Sequence, residues 1–464
     1  MNLQGQRVSV LGAGKSGIAV ARLLAEAGAS VLVSDAGAIP SDVVESFRLS
    51  GIRCEEGGHS ADVYDADWAV VSPGLPPWLP VVEGMVGRSV PLYSEIEVAS
   101  RFCRARIIGV TGTDGKSTTT TLLHQLFTRE GERCGFRSFC VGNIGLPFSA
   151  SVMQMEPGDV AVVELSSYQL ERIEHFHPEV AVITNIAPDH LARYHGNLHE
   201  YAAAKFRIHA NQGKGDTLVY NGDDQVLQEH FEQHQYPFAL LPFSLQSPEQ
   251  SSFRDRFCFD GTHLVQSHRD GRHEVLLPVD AVLKKSFYGR HNIANVLAAA
   301  GVATAAGVHR ESLVRALQEF QGIEHRQEFV ATVKGVDWIN DSKATNLNAM
   351  RTALEALSGS VVLIAGGRDK GNDYAAVLAL VQEKVTLLIA MGESRERLLQ
   401  AFCGVVPVRE ASSLAAAVEI AHACSIPGQT VLFSPGCASF DQFHDFEDRG
   451  RQFKHIVDQL PVCP

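Results

Sequence analysis

No stretch of this 464-residue chain is apolar over the ~18 residues that a helix needs to cross a bilayer, so no helical membrane span is expected. Cysteine is scarce and scattered: nine residues, at positions 54, 103, 134, 140, 258, 403, 424, 437 and 463, with no CxxC pair and an odd total. That pattern speaks against a disulfide framework and fits reduced thiols. Lysine and arginine form no run, and 40 of them face 53 acidic residues for a net charge of −13, which argues against a nucleic-acid partner. Low-complexity tracts and internal repeats are absent too, so the chain is expected to fold throughout. Its opening, MNLQGQRVSVLGAG, has neither the basic start nor the apolar stretch of a secretory leader, and cytoplasmic placement is the expectation.

What the chain does have is enough apolar residue, 45%, to bury a core in each of roughly three domains. It is organised around residues 106–125, RIIGVTGTDGKSTTTTLLHQ. The run 106–111 predicts a buried strand, 112–115 a glycine-bracketed turn, and Lys116 onward a helix entered through Ser117 and Thr118. Backbone N–H groups of Gly112, Thr113, Asp114 and Gly115 can converge on a polyphosphate, with the helix N-terminus adding partial positive charge. Lys116 reaches the outer phosphates and Ser117 can hold Mg²⁺. The strict GxxxxGK[ST] pattern fails, since Val110 stands where its first glycine belongs. The strand before the turn and the helix after it carry the reading of nucleoside triphosphate binding.

Upstream, residues 7–11 predict a strand, 12–17 (GAGKSG) a tight turn, and the next ten residues a helix, before a second strand that ends at Asp35. This GxGxxG, with Gly14 and Ser16 in the turn and an acid where a ribose hydroxyl would lie, admits a dinucleotide or a nucleoside diphosphate that forms part of a substrate; the residues leave both open. The strand at 68–71 runs into Ser72-Pro73-Gly74, at the kind of sheet edge where open α/β folds place ligands.

Downstream, the strand at 160–163 ends in Glu164, placed either to coordinate Mg²⁺ beside the phosphate loop or to begin a helix. The strand at 180–184 leads to Asn185 and then His190, a metal ligand or a solvated loop histidine. Lys205, on a helical segment, reads by default as a surface lysine. Residues 237–273 read as an antiparallel or loop-rich insertion without chemistry, and 287–301 returns to helix with Asn292 near its start. Beyond 322, strands at 338–340, 361–364, 387–390 and 431–433 each end in a glycine or polar turn, which predicts a second doubly wound sheet with ligand loops on one edge. The expected fold is α/β in three domains, over 1–104, 105–322 and 323–464.

Taken in order, TGTDGKST, VVELSSYQLE, TNIAPDHL, YAAAKFRI, GRHNIANVLAA, EHR, NDSKATN and SPGCASFDQF resemble the Mur ligases of peptidoglycan assembly, over nearly the whole chain. GAGKSG, VSPG and CASFDQF favour the branch that adds D-glutamate. The resemblance implies a Rossmann-like N-terminal domain for a UDP moiety, a central ATPase domain, and a Rossmann-like C-terminal domain that closes over ATP and the amino acid. It implies ATP-driven amide formation between UDP-N-acetylmuramoyl-L-alanine and D-glutamate through an acyl phosphate; a folylpolyglutamate synthetase-like ligase is the alternative. By the same matching, Gly14, Ser16, Asp35, Ser72, Gly74 and Asn143 would face the UDP-muramoyl substrate. Ser117, Glu164 and His190 would serve two Mg²⁺ sites, and Lys205 would be carbamylated so that it too ligates metal. Lys116 and Arg326 would offset charge on the transferred phosphoryl group, Asn292 and His325 would face adenine, and Asp341 the ribose. Lys343, Thr345, Lys370, Ser439 and Phe446 would surround D-glutamate. Small-molecule substrates as partners and a monomeric state are expected. Two residues depart from the family pattern: Asp114 stands in place of the usual asparagine, and Ala192 in place of an aspartate.

Overall fold

The structure is a computed structural model that describes residues 2–249, 255–283, 287, 289–369 and 371–461. Short apolar runs that stop at glycine or polar turns should make parallel strands buried on both faces, and three sheets of this kind form. The first contains β1 (Arg7–Leu11), β2 (Ser30–Ser34), β3 (Arg53–Glu55), β4 (Trp68–Val71) and β5 (Leu92–Tyr93), all parallel, in the order β3-β2-β1-β4-β5. The order reverses between β1 and β4, so the crevice lies where GAGKSG and Ser72-Pro73-Gly74 leave the sheet. Gly17 is required there: a Cβ would run into the Gly12 carbonyl oxygen, and helix Lys15–Glu26 could not seat against β1.

The second sheet has nine strands: β6 (Arg106–Thr111), β7 (Ser138–Gly142), β8 (Val160–Glu164), β9 (Val180–Ile183), β10 (Thr217–Asn221), β11 (Ala239–Ser244), β12 (Arg256–Phe259), β13 (His263–Ser267) and β14 (His273–Pro278). Their order is β14-β13-β12-β11-β10-β9-β6-β8-β7. The stretch expected as an antiparallel or loop-rich insertion is antiparallel in its outer strands, but it continues this sheet. β11 pairs parallel to β10 and β12 parallel to β11, and only β12-β13-β14 turn antiparallel. β11 and β14 are hard to read as strands because each is only partly buried. Residues 250–254 of that stretch lie outside the described residues. Helix Arg290–Ala305, rich in alanine and buried on nearly every side, packs against helix Lys116–Cys134.

The first two sheets belong to one compact unit, residues Met1–Ala281 with Arg290–Phe320. Helix Glu95–Ser100 links them through two buried acids. Glu97 accepts the backbone N–H groups of Glu174, His175 and Phe176 at 2.9, 3.0 and 2.9 Å and pairs with Arg101 at 2.9 Å. Glu95 takes both the N–H and the hydroxyl of Ser149 at 2.6 Å.

The other unit, Val282–Gly289 with Gln321–Pro464, holds the third sheet: β15 (Glu328–Val333), β16 (Val336–Asn340), β17 (Val361–Gly366), β18 (Val385–Met391), β19 (Val408–Glu410) and β20 (Thr430–Phe433), in the order β15-β16-β20-β17-β18-β19. All pairs are parallel except the β15–β16 hairpin. Lys334 and Gly335 turn that hairpin with φ of 50° and 74°, as a two-residue turn between twisted strands demands. The sequence reading expected the parallel strands but not this hairpin or β19, because β15 is mostly half-buried and β19 has three residues. Among the described residues no helix is long and apolar enough to cross a membrane.

Candidate active site

β6 lies between β9 and β8, so the ends of all three strands converge on the loop 112–115. Gly112 has φ 143°, and a Cβ on it would collide with the Thr184 hydroxyl; Gly115, left-handed at φ 80°, would collide with the Asn295 carboxamide. The loop is held from outside. Thr113 N–H donates to the Asn185 carbonyl (2.9 Å), Asp114 N–H to Asn185 Oδ1 (2.9 Å), and the Thr184 hydroxyl to the Asp114 carbonyl (2.5 Å). The Asp114 side chain is exposed, so the loop's shape depends on its backbone and not on the carboxylate that departs from the family pattern. Helix Lys116–Cys134 starts at Gly115 with no side-chain cap, which leaves its first N–H groups for a ligand. Lys116 Nζ donates to the Thr113 carbonyl at 2.6 Å, poised over the loop. Ser117 and Thr118 follow in the first turn. Asn292 is buried and joined through Asn295 Nδ2 (3.2 Å), whose carbonyl oxygen abuts Gly115; the structure brings it to the loop.

Glu164 ends β8, buried, with Oε1 accepting Asn143 Nδ2 at 2.8 Å and Oε2 unpartnered. An ionised oxygen buried without a partner is costly unless a cation meets it. Lys205 is not the surface lysine of the default reading. It is 1% exposed, lies 4.6 Å over the Tyr201 ring, and donates Nζ to the Gly112 carbonyl at 2.6 Å. Burial, with Lys116 nearby, holds its pKa well below the ordinary lysine value, against the opposing pull of Asp189, Asp114 and Glu164. His190, left-handed at φ 52°, is half exposed and its ring sits 5.3 Å from that of Tyr168. The glycine cradle, the orphaned Glu164 oxygen and the acids around Lys205 fit a magnesium nucleotide.

In the first sheet, Asp35 serves the turn itself: Oδ2 accepts Ala13 N–H and Oδ1 accepts Gly37 N–H, both at 2.7 Å. Ser72 Oγ donates to the Gly12 carbonyl at 3.3 Å. Gly14 and Gly74 face open space, Gly14 just ahead of Ser16 in the first turn of an uncapped helix. Arg193, paired with Glu171 at 2.7 Å, donates to the carbonyls of Pro73 and Leu75 at 3.3 and 3.2 Å, and so ties this edge to the central sheet. Sequence reasoning missed Arg193, which stands beside the departing Ala192.

In the other unit, Asp341 is buried and accepts the Ser434 hydroxyl (2.7 Å) and Gln327 N–H (3.2 Å); burial pushes its pKa up to about 7. The His325 ring is 2% exposed, its Nδ1 2.9 Å from Asn340 Nδ2, and its carbonyl accepts Lys343 N–H at 3.0 Å. Arg326 follows in the same turn and bears on the Asp341 charge. Lys343 Nζ lies 5.8 Å from the centre of the Phe446 ring, Thr345 N–H donates to the Lys343 carbonyl (2.9 Å), and Ser439 is buried in the loop after β20. Lys370 lies outside the described residues. Elsewhere, Glu130, Cys134 and His309 bring three metal-type ligand atoms within 4.8 Å of one another, but the Arg133 guanidinium already takes the cation's place on Glu130 at 3.1 Å.

Models of three protein families match the chain: a MurD N-terminal domain over residues 7–81, a Mur ligase middle domain over 110–303, and a Mur ligase glutamate ligase domain over 325–437. The UDP-N-acetylmuramoylalanine–D-glutamate ligase of Pelodictyon phaeoclathratiforme is 58% identical over 463 residues, 99% of each chain, and that of Chlorobaculum parvum 54% over 462 residues, again 99% of each. Among solved structures, the UDP-N-acetylmuramate–alanine ligase MurC of Thermotoga maritima has a TM-score of 0.59 at 20% identity, covering 98% of this chain and 100% of its own. FolC of E. coli, in complex with ADP, has a TM-score of 0.55 at 16% identity, covering 79% of this chain and 93% of its own.

Proposed function

This chain belongs to the Mur ligases, in their UDP-N-acetylmuramoylalanine–D-glutamate ligase branch, and on that footing we propose how its residues divide the work. It is an ATP-dependent ligase that adds D-glutamate to UDP-N-acetylmuramoyl-L-alanine in peptidoglycan precursor synthesis, and its family uses Mg²⁺. The allocation rests on one observation: a buried lysine amine on the Gly112 carbonyl, within electrostatic reach of a carboxylate whose second oxygen has no partner.

A carboxylate is a poor electrophile, so the L-alanyl carboxylate attacks the γ-phosphorus of ATP, ADP leaves, and an acyl phosphate forms. The D-glutamate amine then attacks the acyl carbon, phosphate leaves, and the amine loses its proton. Loop 112–115 binds the polyphosphate, and Lys116 and Arg326 offset charge on the phosphoryl group in transfer. Ser117, Glu164, His190 and Lys205 hold two Mg²⁺, which supply positive charge to the phosphate oxygens. A cationic Lys205 would repel them. Burial lowers its pKa and so favours the neutral amine, which can instead add to CO₂, form an N–C bond and lose a proton, leaving an anionic oxygen ligand. Asn143 orients Glu164 and faces the sugar-peptide, while Gly14, Ser16, Asp35, Ser72 and Gly74 hold the UDP moiety. Asn292 and His325 face adenine and Asp341 the ribose; Lys343, Thr345, Lys370, Ser439 and Phe446 hold D-glutamate. The domains divide at 104/105 and 322/323, and the enzyme acts as a monomer.

Phosphate release should require both UDP-N-acetylmuramoyl-L-alanine and D-glutamate; ATP turnover indifferent to either would refute the reading. Lys205→Ala should be nearly inactive and partly restored by acetate, but not by chloride at equal ionic strength. Wild-type enzyme in ¹³C-bicarbonate should show a carbamate resonance that the variant lacks. Full activity of Lys205→Ala without added acid would remove Lys205 from the metal site.

A further inference from the structure

Arg449, on helix Phe446–Asp458, is 1% exposed. A guanidinium that deep is usually matched by a carboxylate, since its desolvation costs several kcal/mol. Here its donors go to neutral oxygens: Nη2 to the Ser342 carbonyl at 2.7 Å, Nη1 to the Cys437 carbonyl at 3.0 Å, and Nε to the Ser342 hydroxyl at 3.0 Å. The nearest acids that act on it, Asp441 and Asp341, do so through space, and burial lowers its pKa only to about 10, so it stays charged at neutral pH.

The groups it grips are particular. The Ser342 hydroxyl in turn donates a hydrogen bond to the Phe446 carbonyl at 2.8 Å, which closes a ring from Arg449 through the turn after β16 to the start of the helix. That turn carries Lys343 and Thr345. Cys437 lies two residues before Ser439, and between them Ala438 exchanges both backbone hydrogen bonds with Arg368, at 2.9 and 3.1 Å. A Cβ on Gly367 would collide with the Ala438 carbonyl, so the turn after β17 is pressed onto the same loop. One buried cation thus sets the relative positions of the segments bearing Lys343, Thr345, Ser439 and Phe446. Neutral donors would suffice to join loops; a charge that makes no salt bridge among the described residues also adds positive potential where they meet, offset in part by Asp441 and Asp341.

We propose that Arg449 is a positioning residue for the amino-acid substrate, which fixes these loops and supplies part of the positive potential that a dicarboxylic amino acid needs on entry. The inference rests on the D-glutamate assignment above. It is tested by steady-state kinetics of Arg449→Met, which keeps the length and loses the charge and fork, and of Arg449→Lys, which keeps the charge and loses the fork. Arg449→Met should raise KM for D-glutamate about tenfold or more while KM for ATP and for the UDP-substrate stay within about threefold; Arg449→Lys should show the same selectivity at a smaller amplitude. If Arg449→Met does not fold, the selectivity in Arg449→Lys decides. Equal rises in all three KM values, or a fall in kcat with KM for D-glutamate unchanged, would make Arg449 a structural residue only and overturn the proposal. Failure of the wild type to use D-glutamate would instead strike the assignment on which it rests.

Discussion

His209 should make the central sheet acid-sensitive. Its ring sits 5.4 to 5.6 Å from those of Phe238, Tyr236 and Phe231 and 5.8 Å from that of His230, and its Nε2 is buried without a partner. Burial, reinforced by His230, lowers its pKa from 6.5 to about 4. The unfolded chain therefore takes up a proton as pH falls through 6.5, and the folded chain does not until pH is near 4. The folded state binds fewer protons across that window, so the stability present above pH 6.5 is lost as pH drops towards 4. The loss comes to about 2 kcal/mol at pH ~5 and about 3 kcal/mol once the window is crossed. His209 lies in the short helix Arg207–His209 that continues from Leu198–Phe206, the helix of Lys205, so acid loosening here should reach the active site. His209→Leu keeps an apolar side chain in the cluster and removes the titration. Urea unfolding of both proteins at pH ~7.5 and ~5 should show a wild-type stability difference larger than the variant's by about 2 kcal/mol. Parallel behaviour of the two proteins across that range would refute the argument.

Lys116→Ala should abolish phosphate release with circular dichroism unchanged, because it removes the point charge that Nζ holds over the Thr113 carbonyl at the phosphate loop; near-normal turnover would remove the phosphate-loop assignment. Asp35→Ala should raise KM for the UDP-substrate far more than KM for ATP, since both carboxylate oxygens hold the backbone of the first-sheet turns; equal changes would show a general loss of fold. Gly115→Ala should raise KM for ATP and destabilise the protein by about 1–2 kcal/mol, from left-handed strain alone before the clash with Asn295 is counted, read as a lowered Tm.

Local pattern was enough for the central parallel strands of each sheet (β1, β2 and β4; β6, β8 and β9; β16, β17, β18 and β20), the two glycine turns and the phosphate loop. Each rests on residues adjacent in the chain: an apolar run, a glycine where the backbone must turn, a helix start. The eight motifs in order were enough for the family. Strands β11 to β14 were legible only as an antiparallel or loop-rich stretch, because β11 and β14 are partly buried and a half-buried strand looks like a loop until a sheet edge is there to receive it. The chemical state of the site was not legible either. Nothing in YAAAKFRI separates a surface lysine from one that is 1% exposed, since the Gly112 carbonyl that receives its amine and the Lys116 charge that helps lower its pKa are brought to it only by the sheet. Arg193 and Arg449 escaped for the same reason: each acts on carbonyls far away in the chain, 118 to 120 residues for Arg193 and 107 for the Ser342 contact of Arg449. A backbone carbonyl is the same group in every residue, so which arginine it receives has no signature in the sequence; the fold alone decides the pairing.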